Sequence, residues 1–387
     1  MKTVKRYAIR SLIALTLSVG AFTTLSAQPF GFQPQDQQPG EPSALNIRGS
    51  RYPLVTPDHR VVFRLRAPEA KQVQIDLGRK YDMTKDANGF WTVTTDPQSP
   101  GFHYYSLVID GVSVADPAAE TFYGMSRMAS GVEIPFAEGE YYALKDVPHG
   151  DVRVNRYFSK TLDSWRKMLV YTPPGYDKNQ SEKYPVLYIL HGGGEDERGW
   201  AQQGLTDLIL DNLIAEGRAK PMLVVMMDGN MRGGMSGDMY TNFEQELLKE
   251  VIPFVEKTYR VKADADSRAL AGLSMGGLQT LAAGVPNTDV FHYLGVFSSG
   301  WHNGQPNAAT DKNYEYMSKN ADKINRDLKA FFLAMGDKED IAYENCQIMM
   351  RKMDDWGIKY TYYDYPGGHA WPVWRDNVYR FSQILFQ

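Results

Sequence analysis

Residues 268–285 read Arg-Ala-Leu-Ala-Gly-Leu-Ser-Met-Gly-Gly-Leu-Gln-Thr-Leu-Ala-Ala-Gly-Val: a short apolar run, a serine between glycines, then a run compatible with a helix. An apolar stretch that gives way to helical spacing within one turn is how a buried parallel strand feeding a helix reads. Ser274 falls at that junction, on a sharp turn where Gly272 and Gly276 leave room for a strained backbone and expose the hydroxyl. A hydroxyl so held is a candidate nucleophile.

Two further turns belong with it. Upstream, the strand candidate Val186–Leu190 ends in His191-Gly-Gly-Gly194, where missing side chains let backbone N–H groups approach a developing oxyanion; Gly193 is the expected donor, with the amide of Met275 as its partner. Downstream, Pro366-Gly-Gly-His-Ala-Trp371 carries His369 between the last strand and the last helix, where a base near neutral pH can reach across the top of a sheet. Of the seven histidines only His302, after Ser298-Ser-Gly-Trp301, rivals it. A third group must hold the imidazole in one tautomer. Gly336-Asp-Lys-Glu-Asp340 follows the strand candidate Phe331–Met335 and offers Asp337, Glu339 and Asp340. The residues alone leave that choice open.

Around these turns near-continuous apolar strands alternate with helical segments: Met168–Thr172, Val186–Leu190, Leu223–Met227, Ala269–Gly272, Tyr293–Phe297, Phe331–Met335 and Tyr360–Tyr365. This predicts an α/β-hydrolase sheet with helices on both faces over 150–387. The Met-rich run Cys346, Met349, Met350 and Met353 recurs at helical spacing and reads as core. Before a Gly- and Pro-containing stretch, 131–150, the period is two. Val61, Phe63 and Leu65, then Val73, Ile75 and Leu77, alternate with polar neighbours, and Asn88-Gly89 and Asp110-Gly111 are turn signals. A small antiparallel β-sandwich is predicted over 49–145, as an accessory unit, since every candidate catalytic residue lies after position 190.

Residues 28–48 are Gln, Pro and Gly with little to bury and read as a linker. Residues 1–27 have the order of a secretory signal: Lys2, Lys5, Arg6 and Arg10, an apolar middle, then Leu-Ser-Ala27. Export is the expected localisation, with no transmembrane segment after cleavage. Lys and Arg number 42 against 46 acidic residues, a net charge of −4 that cleavage would take to −8. Such a chain has no positive field for a phosphate backbone, so no nucleic acid partner is expected. Cys346 is the single cysteine, which excludes an intrachain disulfide.

The order His-Gly-Gly-Gly, Gly-Leu-Ser-Met-Gly-Gly, Gly-Asp-Lys-Glu-Asp and Pro-Gly-Gly-His-Ala-Trp resembles the family-one carbohydrate esterases, which include feruloyl and acetylxylan esterases and are related to siderophore esterases and mycolyltransferases. Tyr171-Thr-Pro-Pro-Gly175, Glu250-Val-Ile-Pro253 and Trp371-Pro-Val-Trp374 match as well. The resemblance covers about 150–387. It implies Ser274 as nucleophile, His369 as base and an aspartate after the sixth strand, with no metal or organic cofactor. In the family the acid usually stands three residues after the glycine, before a hydrophobic-x-Tyr run. Asp340-Ile-Ala-Tyr343 fits that run but stands four after Gly336, so Asp340 is preferred and Asp337 is the alternative. The sandwich looks like the early-set immunoglobulin-like modules grouped with glycogen-binding domains. Trp91, Phe102, Tyr104 and Tyr105 could stack on sugar there, but core packing is favoured. The expected activity is hydrolysis of esters on plant cell-wall polysaccharide, foremost feruloyl groups on arabinoxylan. A flat acyl group would need an apolar surface, expected from Trp301, Trp371 and Trp374. The alternatives are an acetylxylan esterase, a siderophore esterase, or a carbohydrate-binding protein with an inactive hydrolase domain.

Overall fold

The structure, a computed structural model, describes residues 39–136, 139–231, 238–301 and 308–387; the expected signal segment and the rival base His302 lie outside them. Gly40–Gln387 is one compact unit.

Its larger sheet has eight strands: β1 (Asp151–Ser159), β2 (Ser164–Thr172), β3 (Val186–Leu190), β4 (Leu223–Met227), β5 (Arg268–Leu273), β6 (Tyr293–Phe297), β7 (Ala330–Met335) and β8 (Thr361–Asp364). Their order is β1-β2-β4-β3-β5-β6-β7-β8, with β2 antiparallel to both neighbours and the rest parallel. Seven of the eight match the apolar runs read from the sequence. The eighth, β1, is an edge strand in which Arg153, Asn155 and Arg156 interrupt Val152, Val154 and Phe158, themselves exposed, so no apolar run betrays it.

Alternate residues of each buried strand serve opposite faces, as a pleat requires. Val186, Tyr188 and Leu190 pack with Phe243, Val255, Met349 and Met353, the predicted Met-rich helix among them. Leu187 and Ile189 face the other way, toward helices Thr206–Ala215 and Trp371–Ile384. Burying a side chain of this size contributes about 2 kcal/mol, and both faces are filled.

The N-terminal sandwich has a five-stranded and a six-stranded antiparallel sheet around Val61, Phe63, Val73, Ile75, Trp91, Tyr105 and Val132. Two expectations need correction. Glu41–Pro42 pairs with Leu54–Val55, and Ile47 N–H bonds to Ala118 C=O at 2.9 Å, so the last part of the presumed linker 28–48 is built into the sandwich. A two-residue edge strand containing proline has no alternation to read. The strand Arg127–Ile134 likewise runs into the stretch read as a Gly/Pro connection.

The sandwich also does not stand apart. On the strand Gly101–Ile109, Tyr105 and Leu107 face the sandwich core, while Phe102 joins Phe122 in the cluster formed with Trp200 and Trp371. Arg375, 1% exposed, donates two bonds to Glu133 at 2.7 and 3.2 Å and a third to Gln203 C=O at 2.8 Å. Its guanidinium lies 4.6 Å from the centre of the Tyr142 ring. A buried, bidentate pair of this kind costs about 3–5 kcal/mol when one partner is removed, so the two layers are clamped.

Candidate active site

Ser274 terminates β5 with φ 51° and ψ −114°, a conformation that side chains other than glycine rarely adopt. Neighbours over-determine it: its N–H donates to Phe297 C=O, and Ser299 Oγ donates to its carbonyl, both at 2.9 Å. The turn is tight enough that a Cβ on Gly276 would lie 2.6 Å from the His191 carbonyl oxygen, which explains the glycine there. Helix Met275–Gly284 begins at once, so the Met275 N–H belongs to the helix's unpaired first turn.

Across the turn lies the His191–Gly194 loop at the end of β3. His191 is buried; its Nδ1 lies 2.8 Å from Gly192 C=O, and its Nε2 accepts the Gly229 N–H at 2.9 Å. It therefore braces the loop. Gly193 borders the cleft, with nothing within 4 Å of where a Cβ would point.

His369, on the loop after β8, has Nδ1 2.9 Å from Asp340 Oδ1. Asp340 is 3% exposed, and its oxygens also accept the N–H groups of Ala342 at 2.9 Å and Gly336 at 3.3 Å. Burial opposes its charge, but the hydrogen bonds with His369, Ser298 and Ala342 outweigh that and hold the carboxyl below the usual aspartate range. Asp337 does something else. It accepts the N–H of Gly367 at 3.0 Å and of Glu339 at 2.9 Å, fastening the histidine loop to the end of β7. Glu339 is exposed.

Ser274 and His369 line one cleft of about 420 Å³ together with Gly193, Leu273, Trp371 and Trp374. The Trp374 indole N–H donates to Ser298 Oγ at 2.9 Å, and its ring meets His369 edge-on at 5.1 Å. Trp301 is not part of this wall. It is 1% exposed, packed edge-on against Tyr240, in the core on the other face of the sheet. A tryptophan right after a strand looks the same in sequence whichever way it turns.

The opposite wall comes from the sandwich: Leu77, Gln98, Phe102, His103, Tyr104 and Met125. The sandwich also holds the glycine loop. Ser126 N–H bonds to Gly194 C=O at 2.9 Å, and Tyr104 donates to Glu195 Oε1 at 3.0 Å. Glu195, 5% exposed, further accepts the Trp371 indole N–H at 2.9 Å and the Gly192 N–H at 3.2 Å. Burial raises the Glu195 carboxyl above its ordinary range, and burial beside that carboxylate pushes the Tyr104 phenol far up, keeping it a donor. Neither residue was legible as part of the site. Glu195 opens a run, Glu-Asp-Glu, that reads as a solvated acidic turn, and Tyr104 lies 170 residues before Ser274.

A hydroxyl on a strained turn, an imidazole fixed by a buried carboxylate, and a glycine loop bordering the same cleft are parts that acyl transfer uses. Among the described residues no three His, Cys, Asp or Glu side chains are grouped as a metal site requires.

The model of the Esterase family matches residues 159–382, the segment that contains all of these loops. The chain belongs to this family. Its eight-stranded sheet with helices on both faces is the α/β-hydrolase sheet. It is 36% identical over 360 residues to an endo-1,4-beta-xylanase/feruloyl esterase of Xylanibacter ruminicola, covering 89% of this chain and 47% of that one. With endo-1,4-beta-xylanase Y of Acetivibrio thermocellus identity is 30% over 258 residues, 64% of this chain and 22% of the relative. The chain thus spans about half or less of the length of these relatives. Among solved structures, a ferulic acid esterase of Anaeromyces mucronatus in complex with ferulic acid is 25% identical, with a TM-score of 0.57 over 64% of this chain and 95% of the other. The enterobactin esterase of Shigella flexneri shares the fold more widely, with a TM-score of 0.63 over 85% of this chain and 94% of the other, at 19% identity.

Proposed function

We propose that this esterase is exported and releases feruloyl groups from plant cell-wall arabinoxylan through an acyl-enzyme. Ser274 is the nucleophile, His369 the general base and then the general acid, and Asp340 the carboxylate that holds the imidazole tautomer. The observation that carries the reading is the 2.9 Å contact between His369 Nδ1 and buried Asp340, at the mouth of a cleft that also exposes Ser274.

In this reading His369 takes the Ser274 proton as the hydroxyl oxygen attacks the ester carbonyl. The amides of Gly193 and Met275 receive the oxyanion, and the proton passes to the departing sugar oxygen. Water then repeats the steps on the acyl-serine. Asp340 supports the transient imidazolium because its hydrogen bonds hold the carboxyl below the usual aspartate range. A cleft of about 420 Å³ lies within the ordinary small-molecule range of roughly 300–1,000 Å³. Its walls of Trp371, Trp374, Phe102 and Tyr104 suit a flat phenolic acyl group better than an acetyl group. The feruloyl and xylan terms in the relatives' names support the same substrate class.

Methyl ferulate assayed beside acetylated xylan tests the acyl preference, with methyl ferulate turned over faster. Ser274→Ala should lower that turnover by about 10⁶ with the fold intact; a variant that keeps a tenth of the activity, or an enzyme that prefers acetyl esters, defeats the proposal.

A further inference from the structure

Away from the cleft, the β1–β2 hairpin presents a second aromatic surface. Phe158 and Trp165 are paired across the two strands, their rings 5.7 Å apart and edge to face. Trp165 is 72% exposed and Phe158 45%. A tryptophan this open contributes little to folding, because most of its apolar surface stays in water. The two rings border a groove of about 560 Å³ between the hairpin and the helix Ile252–Thr258.

The charge around this groove is one-sided. Arg156, Lys160, Lys249 and Lys257 line it, and none of the four side chains meets a carboxylate among the described residues. The one acid there, Glu250, has its oxygens engaged by the N–H groups of Lys160 and Thr161 and by the Thr161 hydroxyl. A chain with a net charge of −4 has therefore gathered, around two exposed aromatic rings, four cations that meet no carboxylate among the described residues.

The position of the groove matters as much as its chemistry. Trp165 lies three residues before Met168, which pairs with Met227, the last residue of β4. It is thus at the same carboxyl end of the sheet as Ser274, which follows the last residue of β5. Three strand spacings, roughly 14 Å, separate β2 from β5.

We propose that this groove binds a carboxylate-bearing polysaccharide, a uronic-acid-substituted xylan, holding the polymer whose ester is cleaved beside it. The proposal rests on the polysaccharide reading above. Sugar rings present apolar C–H faces that pack on indole and phenyl rings, and uronate carboxylates pair with arginine and lysine. A second copy of the chain fits less well, because a symmetric contact through Trp165 would bring the two sets of cations together.

Glucuronoxylan is titrated, in low and in high salt, against full-length protein carrying Ser274→Ala, so that no turnover intrudes, with the carboxyl-reduced polymer as control. Adding Trp165→Ala should weaken glucuronoxylan binding about tenfold. Lys249→Ala with Lys257→Ala should weaken it and flatten its salt dependence, while the reduced polymer binds weakly throughout. In the Ser274 background the same substitutions should leave kcat/KM on methyl ferulate unchanged. Equal binding by the reduced polymer, binding indifferent to both sets of substitutions, or a dimer in sedimentation that Trp165→Ala dissociates would overturn the proposal. Failure of the unsubstituted enzyme on methyl ferulate would count against the feruloyl reading and not against the groove.

Discussion

In the sheet domain the four candidate catalytic residues all sit on loops at the carboxyl ends of parallel strands: Gly193 after β3, Ser274 after β5, Asp340 after β7 and His369 after β8. The sandwich reaches the same cleft differently, with Phe102 and Tyr104 from one face of a long strand and Met125 from a turn. The first arrangement concentrates reactive groups, because parallel strands direct all their following loops to one end. The second supplies a wall and a brace, because the outward face of an antiparallel strand is free to pack on a neighbour. A module that looks separable in sequence is thereby built into the site, through Tyr104 on Glu195 and Ser126 on Gly194.

The largest effect expected within the reactive half is at its carboxylate. Asp340→Asn keeps the shape but can favour the wrong imidazole tautomer, and should lower kcat on methyl ferulate by about 10⁴. Asp337→Asn, which touches only the loop backbone, should change it less than tenfold. A steep loss confined to Asp337 would reverse the assignment.

Next in size is the brace. A chain beginning at Asp151 lacks Tyr104, Ser126 and the Glu133 partner of Arg375, and should lose about 10² or more in kcat/KM even on methyl ferulate, since small misplacements of the oxyanion donors are costly. Full activity in such a chain, folded by circular dichroism, would restore the accessory role that the sequence suggests and break the comparison.

The smallest effect sharpens it. Because burial raises the Glu195 carboxyl, the native state holds this proton more tightly than the unfolded chain does. Its stabilising contribution is fully present below the ordinary glutamate value and is lost as pH rises through the folded value. Glu195→Gln should therefore gain in melting temperature relative to the parent between pH 4.5 and pH 8. A difference that does not move with pH would mean that the three donors around Glu195 already keep it charged.

The helical and strand periods, the strained serine turn and the two glycine loops were all legible along the chain, because each depends on residues within about ten positions of one another. The edge strand β1 was not, since Arg153, Asn155 and Arg156 interrupt its apolar residues and leave no run to read. The choice between Asp340 and Asp337 also exceeded local pattern: both stand in one acidic turn, and only the fold buries the first against His369 while turning the second to the Gly367 amide.

By itself, then, the sequence determined seven strands of the sheet, the serine turn and the histidine loop, whose conformations are set by neighbouring residues and by backbone sterics. Tertiary structure alone decided that Trp301 packs in the core while Trp371 and Trp374 face the cleft, that Tyr104 and Glu195 join across 91 positions, and that Arg375 clamps Glu133. Those outcomes depend on how two layers dock, and the energy of docking is shared over surfaces that no short stretch of chain contains.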